Sequence, residues 1–339
     1  MKLVVGLPSP LRRHEYPGLW EDFFQRLGVQ VILSPPTNKI LFNSGIKMCS
    51  GDVCLPLKVL HGHVLYLHDR ADAVFVPRYV YPAAREAACP KFCALPDILR
   101  LNLPGVTVWD MSVDMNKGLA FMLSTLDEMV CLMEQGAHED CENNADKGFF
   151  ERGKARAAFI EALTRPQASW YSRLLSEYTK DREGSGGRGK SVQAGRSGIT
   201  GLDDPAIGII GHAYLTQDAF LTMNLATKIA DRGYRVVTSE DVPYNLKRQR
   251  CSPYQNRTFW GVGVDLLGTA LTMFEEKNIK GLIYVTSFAC GIDSVALELL
   301  DRQIIPGNDK PCMRLCLDEH TGESGFDTRL EAFFDLLPL

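Results

Sequence analysis

The chain has 339 residues, 45% hydrophobic and 23% charged, with a formal net charge of -4. That length favours two cores over one and that composition a folded globular protein, while the charge gives no reason to expect nucleic acid or an acidic membrane surface as partner. Ten cysteines without an export signal point to a reducing, cytoplasmic setting in which metal binding or packing outranks disulfide formation. No apolar run is long enough to span a bilayer, and MKLVVGLPSPLRRHEY reads as a first strand, not a leader.

In chain order, KLVVGLP (2–8) predicts a buried strand, LWEDFFQRLG (19–28) an amphipathic helix closed by Gly28, and VQVILS (29–34) a second strand. LPLKVLHGHVLYLH (55–68) follows as a helix, with ADAVFVP (71–77) and VTVWDM (106–111) as third and fourth strands. Segments 116–136, 147–165 and 167–180 are helical in pattern, and 181–201 is rich in Gly and basic residues and reads as a flexible linker. The order then repeats: strand 206–212, helix 219–233 ending in Gly233, and strand 234–239. Helix 260–277, strand 280–288, helix 292–303 and strand 312–318 complete it. RLGVQVILS and DRGYRVVTS match as helix end, glycine and strand.

These repeats predict an α/β protein of two Rossmann-like or flavodoxin-like domains, each with a parallel sheet of the same strand order. The expected boundaries are 1–136, a helical segment and Gly-rich linker over 137–204, and 205–339. The linker is not a phosphate loop, since no strand precedes its Gly-Lys-Ser.

Three cysteines follow strand-like segments: Cys54, Cys89 and Cys290. Thiolates gathered at the carboxyl ends of parallel strands suit an iron–sulfur cluster, and a ligand held by all three would sit in a cleft between the domains. Cys54 opens the 55–68 helix, with Lys58 and His61 on its face and Leu57, Leu60, Val64 and Leu67 as a separate apolar stripe. Two readings stand for it: a thiolate favoured at a helix amino terminus, or a buried structural cysteine with Lys58 in solvent. Cys89 and Cys93 form C-x₃-C, so Cys93 is the alternative to Cys89. Gly291 after Cys290 would let backbone approach a cluster closely. His61 is a candidate donor behind the ligands, and no set of His and Cys has zinc spacing. Cys312 and Cys316 fall on one face of a strand, where core packing is favoured. Asp318, Glu319 and His320 end a strand, and Thr328 with Glu331 reads as a capping box for the last helix.

SGDVCLPLKVLHGH, IGIIGHAYLTQDAF, VTSFACGIDS and LDEHTGESGFDTRLEAF together resemble the uncharacterised domain associated with CoA-enzyme activases. That domain is similar to the iron–sulfur subunits of 2-hydroxyacyl-CoA dehydratases and to double-cubane cluster proteins. The resemblance implies a 4Fe–4S or double-cubane cluster on Cys54, Cys89 and Cys290. It also implies a separate ATP-hydrolysing activase as partner, injecting low-potential electrons for a reduction or a radical elimination. On that reading the chain is an iron–sulfur reductase or dehydratase-like component, alone or in a homo- or hetero-dimer. Two alternatives stand beside it. One is a non-catalytic electron-transfer, cluster-carrier or scaffold partner of an activase; the other is a metal-free two-lobed small-molecule binder. Nothing in the sequence identifies an acyl-CoA pocket, so the dehydratase substrate is not carried over.

Overall fold

A computed structural model describes residues 3–12, 18–81, 86–137, 152–164, 204–254, 260–307 and 309–337. The chain divides into two compact units. One holds the described residues of Met1–Cys49 and Leu60–Val192, the other those of Ser50–Val59 and Gln193–Leu339.

In the first half the elements are β1 (Val4–Leu7), α1 (Ser9–Arg12), α2 (Leu19–Arg26), β2 (Gln30–Leu33), α3 (Lys39–Ile46), α4 (Leu55–His68), β3 (Ala73–Phe75) and β4 (Arg78–Tyr81). They continue with α5 (Pro90–Cys93), α6 (Leu95–Asn102), β5 (Val108–Trp109), β6 (Ser112–Asp114), α7 (Gly118–Ala137) and α8 (Arg152–Thr164). β1, β2, β3 and β5 form a parallel sheet in the order β2-β1-β3-β5, and β4 pairs in parallel with β6. The core gathers Trp20, Phe23 and Phe24 of α2 against Phe75 and against Phe159 of α8. The helix over 152–164, expected in a connecting segment, therefore completes the first core. The segment over 181–201, read as a linker, lies outside the described residues.

The second half runs β7 (Ala206–Gly211), α9 (Ala213–Thr216), α10 (Leu225–Ala230), β8 (Arg235–Thr238), α11 (Tyr244–Cys251), α12 (Gly261–Glu275), β9 (Ile279–Ser287), α13 (Gly291–Leu299), β10 (Cys312–Leu317) and α14 (Glu323–Asp335). Its sheet is parallel with the order β8-β7-β9-β10. Counted within each half, both sheets read second, first, third, fourth, as the repeat predicts. In each, the connections leave in opposite directions at the first and third strands, a topological switch point where ligands of parallel sheets bind.

Several local readings change. The helix expected over 219–233 is broken, because Met223 and Asn224 take φ of 51° and 59°, leaving α10 short. Cys312 and Cys316 are exposed, not packed: on β10, an edge strand, they fall on the face that turns outward. α14 starts after Gly322, so Thr328 and Glu331 lie in its interior; Thr328 Oγ1 donates to the Ser324 carbonyl and Glu331 pairs with Arg232. No capping box forms there.

Candidate metal centre

β9 is buried along its length and ends at Ser287, where the chain turns sharply. The Cys290 N–H donates to the Ser287 carbonyl at 3.1 Å, and Ala289 in between takes φ of 62°. A side chain in the left-handed region costs roughly 1–2 kcal/mol, and such strain concentrates at functional sites. Cys290 then caps α13: its backbone is extended (φ -85°, ψ 105°) and its carbonyl accepts from Ser294 N–H at 3.2 Å. The thiol is half-buried at the amino end of a nine-residue helix. A Cβ added to Gly291 would meet nothing within 4 Å, so open space lies beside the cysteine's backbone.

His212 directly follows β7, across the switch point from the end of β9. Its Nε2 lies 2.9 Å from Asp293 Oδ1 and 3.6 Å from Cys290 Sγ. Asp293 is in the first turn of α13; its Oδ2 accepts from Thr286 Oγ1 at 2.6 Å and its Oδ1 from the Tyr284 hydroxyl at 3.4 Å. Burial pushes the His212 imidazole down, but the Asp293 carboxylate, with Cys290, outweighs it and holds the ring well above its usual range. Burial likewise works against the Asp293 carboxylate, yet His212 and Thr286 hold its pKa below the ordinary value. Tyr284 is raised well above a usual phenol by burial and by Asp293. A hydrogen-bonded imidazole–carboxylate pair thus lies buried beside the thiol. Cys290, His212 and Asp293 could together surround one ion. Both carboxylate oxygens of Asp293 already accept hydrogen bonds, however, so the cluster is built to support Cys290 more than to ligate through the acid.

The Ser50–Val59 stretch, which groups with the second unit, brings Cys54 and Lys58 to the same sheet edge. The Cys54 carbonyl accepts from Leu57 N–H at 3.0 Å and Lys58 N–H at 3.3 Å, which makes Cys54 the residue capping α4. The next amide, Leu55 N–H, donates to Ser287 Oγ at 2.9 Å. One serine therefore ties the turn of Cys54 to the turn of Cys290. Lys58 is not in solvent: it is 1% exposed, and its ammonium donates to Glu319 Oε1 at 2.5 Å and to the Gly51 carbonyl at 3.2 Å. That hydrogen bond is the main reason the Glu319 carboxyl lies below its usual range.

Cys89, Cys93 and His61 belong to the first unit. Cys89 caps α5 with Pro90 behind it, and its carbonyl accepts from Phe92 and Cys93 N–H. Cys93 closes that turn, and burial, with Cys89 nearby, pushes its thiol up. Its carbonyl takes a hydrogen bond from Arg78 at 2.8 Å. His61 is fully buried and its Nε2 is engaged by Asn102 Nδ2 at 3.0 Å. α4 is buried on every side from Leu55 to Val64, so its polar residues do not form the solvent-facing stripe expected of an amphipathic helix.

Cys54, Cys89 and Cys290 share one feature: each caps the amino end of a helix. Among the described residues no other cysteine does. Cys49 lies in a turn, Cys93 and Cys251 close helices, Cys131 is inside α7, and Cys312 and Cys316 are in β10. Cys89 and Cys290 also occupy matching places in the two halves, each capping the first helix after the third strand. The first-turn amides after Cys54 are engaged by Ser287 Oγ and by the Cys54 carbonyl, and Pro56 and Pro90 bring no N–H, so it is chiefly at Cys290 that a helix amino end offers backbone N–H groups to the sulfur. None of the described cysteines is in a disulfide. Cys54 and Cys290, both of the second unit, are thiols of the kind that ligate iron, and space lies beside Cys290 at Gly291.

The family model described as CoA enzyme activase uncharacterised domain (DUF2229) matches residues 4–242, which include Cys54, Cys89 and His212 and stop short of Cys290. No curated protein matches the chain. No helix among the described residues is long and apolar enough to cross a membrane.

Proposed function

Because the chain belongs to the family of the CoA enzyme activase uncharacterised domain, we propose that it is an iron–sulfur protein that receives low-potential electrons from a separate ATP-hydrolysing activase. Cys54, Cys89 and Cys290 are its cluster ligands, and the electrons serve a reduction or a radical elimination. The observation that carries this reading is the shared capping position of the three cysteines, two of them at matching points of a duplicated fold. When bound, a 4Fe–4S or double-cubane cluster supplies one-electron transfer and, with three protein thiolates per cubane, an iron open to a further ligand.

The residues around the thiols have separable tasks. Cys54, 8% exposed, keeps its side of the site dry. Lys58 brings a buried positive charge one helical turn from Cys54, balanced by Glu319. The Ser287 hydroxyl holds the turn of Cys54, and the Ser287 carbonyl holds the turn of Cys290. The hydrogen-bonded His212–Asp293 pair offsets negative charge at Cys290.

The test is anaerobic purification with iron and sulfide analysis, followed by mixing with an activase of the family, ATP and a reductant. The reading expects iron and sulfide in near-equal amounts and bleaching of the visible absorption that requires ATP hydrolysis by the activase. Iron-free protein that binds a small organic ligand would favour a two-lobed binder. A cluster that bleaches and passes its electrons only to another protein, with no small-molecule substrate reduced, would favour an electron carrier.

A further inference from the structure

We propose that His212 is a positioning residue for Cys290, donating its Nε2–H to the Cys290 sulfur from a ring that Asp293 holds in place. The redox consequence rests on Cys290 being a cluster ligand; the hydrogen bond itself does not. Nε2 faces two acceptors, Asp293 Oδ1 at 2.9 Å and Cys290 Sγ at 3.6 Å. A nitrogen bonded to an ionised carboxylate carries a proton, because a carboxylate only accepts. That nitrogen cannot also take the proton of Cys290. A thiol–imidazole–carboxylate relay needs the two ring nitrogens to face the two partners separately, and here one nitrogen faces both. A single shared N–H, a three-centre bond, accounts for the geometry.

The surroundings fix this donor. Thr286 Oγ1 and the Tyr284 hydroxyl both bond Asp293, and all three residues are buried. The imidazole stacks on Tyr214, with ring centroids 4.9 Å apart and planes 13° from parallel. Gly211, just before His212, has no room for a side chain: a Cβ would lie 2.5 Å from the Val285 carbonyl oxygen. β7 therefore runs tightly against β9 up to the residue that delivers the ring. An N–H···S bond to a metal-bound thiolate draws charge from the sulfur and favours the reduced state.

The variants are His212→Leu, which removes the donor, and His212→Gln, whose amide N–H can replace it. In the reduced, metal-free protein, the rate at which iodoacetamide modifies Cys290, followed by peptide mass, should fall roughly tenfold in His212→Leu, as expected for loss of a hydrogen bond to a charged group. His212→Gln should recover part of it. In the iron-loaded protein the midpoint potential should become more negative in His212→Leu and return toward the parent value in His212→Gln. Should His212→Leu fail to fold, Asp293→Asn should move both readouts the same way by less. An unchanged alkylation rate and potential in folded variants would overturn the proposal. If the parent protein takes up no iron, the cluster reading fails, and the alkylation rate alone decides whether His212 acts on Cys290.

Discussion

The two halves of the chain share a strand order but not the chemistry of one helix. α4 lies between the second and third strands of the first half, and α12 between those of the second. Gly62 lies eight residues after Cys54, which caps α4; Gly268 lies eight residues after Trp260, which caps α12. At both glycines another helix crosses at backbone distance. A Cβ on Gly62 would stand 1.9 Å from the Leu41 carbonyl oxygen of α3, and one on Gly268 would stand 2.3 Å from the Lys247 carbonyl oxygen of α11. Aligned on the glycines, Cys54, Lys58, His61 and His63 correspond to Trp260, Val264, Leu267 and Thr269. All of these except half-buried Trp260 are buried. One copy of the helix is an ordinary core element. The other carries a thiol, an ammonium and two imidazoles that its packing does not require, and polar groups are buried at such cost only when they are paired and used.

If the crossings are equivalent, Gly62→Ala and Gly268→Ala should each cost about 3 kcal/mol or more of stability, since backbone cannot yield as a side chain can. Urea denaturation measures both. A large loss in one with none in the other would break the equivalence.

The Lys58–Glu319 pair sharpens the contrast with Val264. Removing the partner of a buried charge is costlier than removing a charge whose partner reaches water. Lys58 is 1% exposed and the Glu319 side chain 16%. Glu319→Gln should therefore cost roughly 2–3 kcal/mol and Lys58→Met less. The reverse order would mean that Lys58 does not depend on Glu319.

His63, where α12 has Thr269, gives a pH signature. Its Nδ1 and Nε2 meet Ser34 Oγ at 2.7 Å and Thr37 Oγ1 at 3.1 Å, and burial lowers its pKa from 6.5 to about 4. A histidine depressed in the folded state contributes stability that is present above pH 6.5 and is lost as pH falls toward 4, because the unfolded chain takes up the proton first. Between pH 7 and 5 the loss from this group should be about 2 kcal/mol. In His63→Thr, which copies Thr269, that part of the slope should vanish; an unchanged slope would place the acid sensitivity elsewhere.

The smallest effect concerns the turn before Cys290, where Ala289→Gly should stabilise the protein by about 1 kcal/mol by relieving the left-handed backbone. No gain would mean that neighbouring contacts already offset the strain.

The duplicated strand order was legible in the sequence because parallel strands are continuous apolar runs closed by turn residues. Cys89 and Cys290 could be singled out because each follows such a run. α3 was not legible: NKILFNSGI has asparagines and a glycine that mask its periodicity, and Asn38 forms it by accepting from Ile40 and Leu41 N–H. The halves of the site that depend on distant partners were also hidden. His212 meets residues near position 290, and Lys58 meets Glu319. The only local signal for His212 was an imidazole placed directly after a buried strand. For Lys58, helical spacing suggested solvent because nothing local shows that α4 is covered on all sides.

As proposed above, the three capping cysteines, and no other described cysteine, are the ligands of an iron–sulfur group. Iron, sulfide and visible absorption should be measured after anaerobic reconstitution of the parent protein and of Cys54→Ser, Cys89→Ser, Cys290→Ser, Cys93→Ser and Cys131→Ser. The first three should lose most of the iron and the absorption while keeping their far-ultraviolet circular dichroism, and Cys93→Ser and Cys131→Ser should match the parent. Full iron retention in Cys290→Ser, or loss in Cys93→Ser with retention in Cys89→Ser, would contradict that assignment.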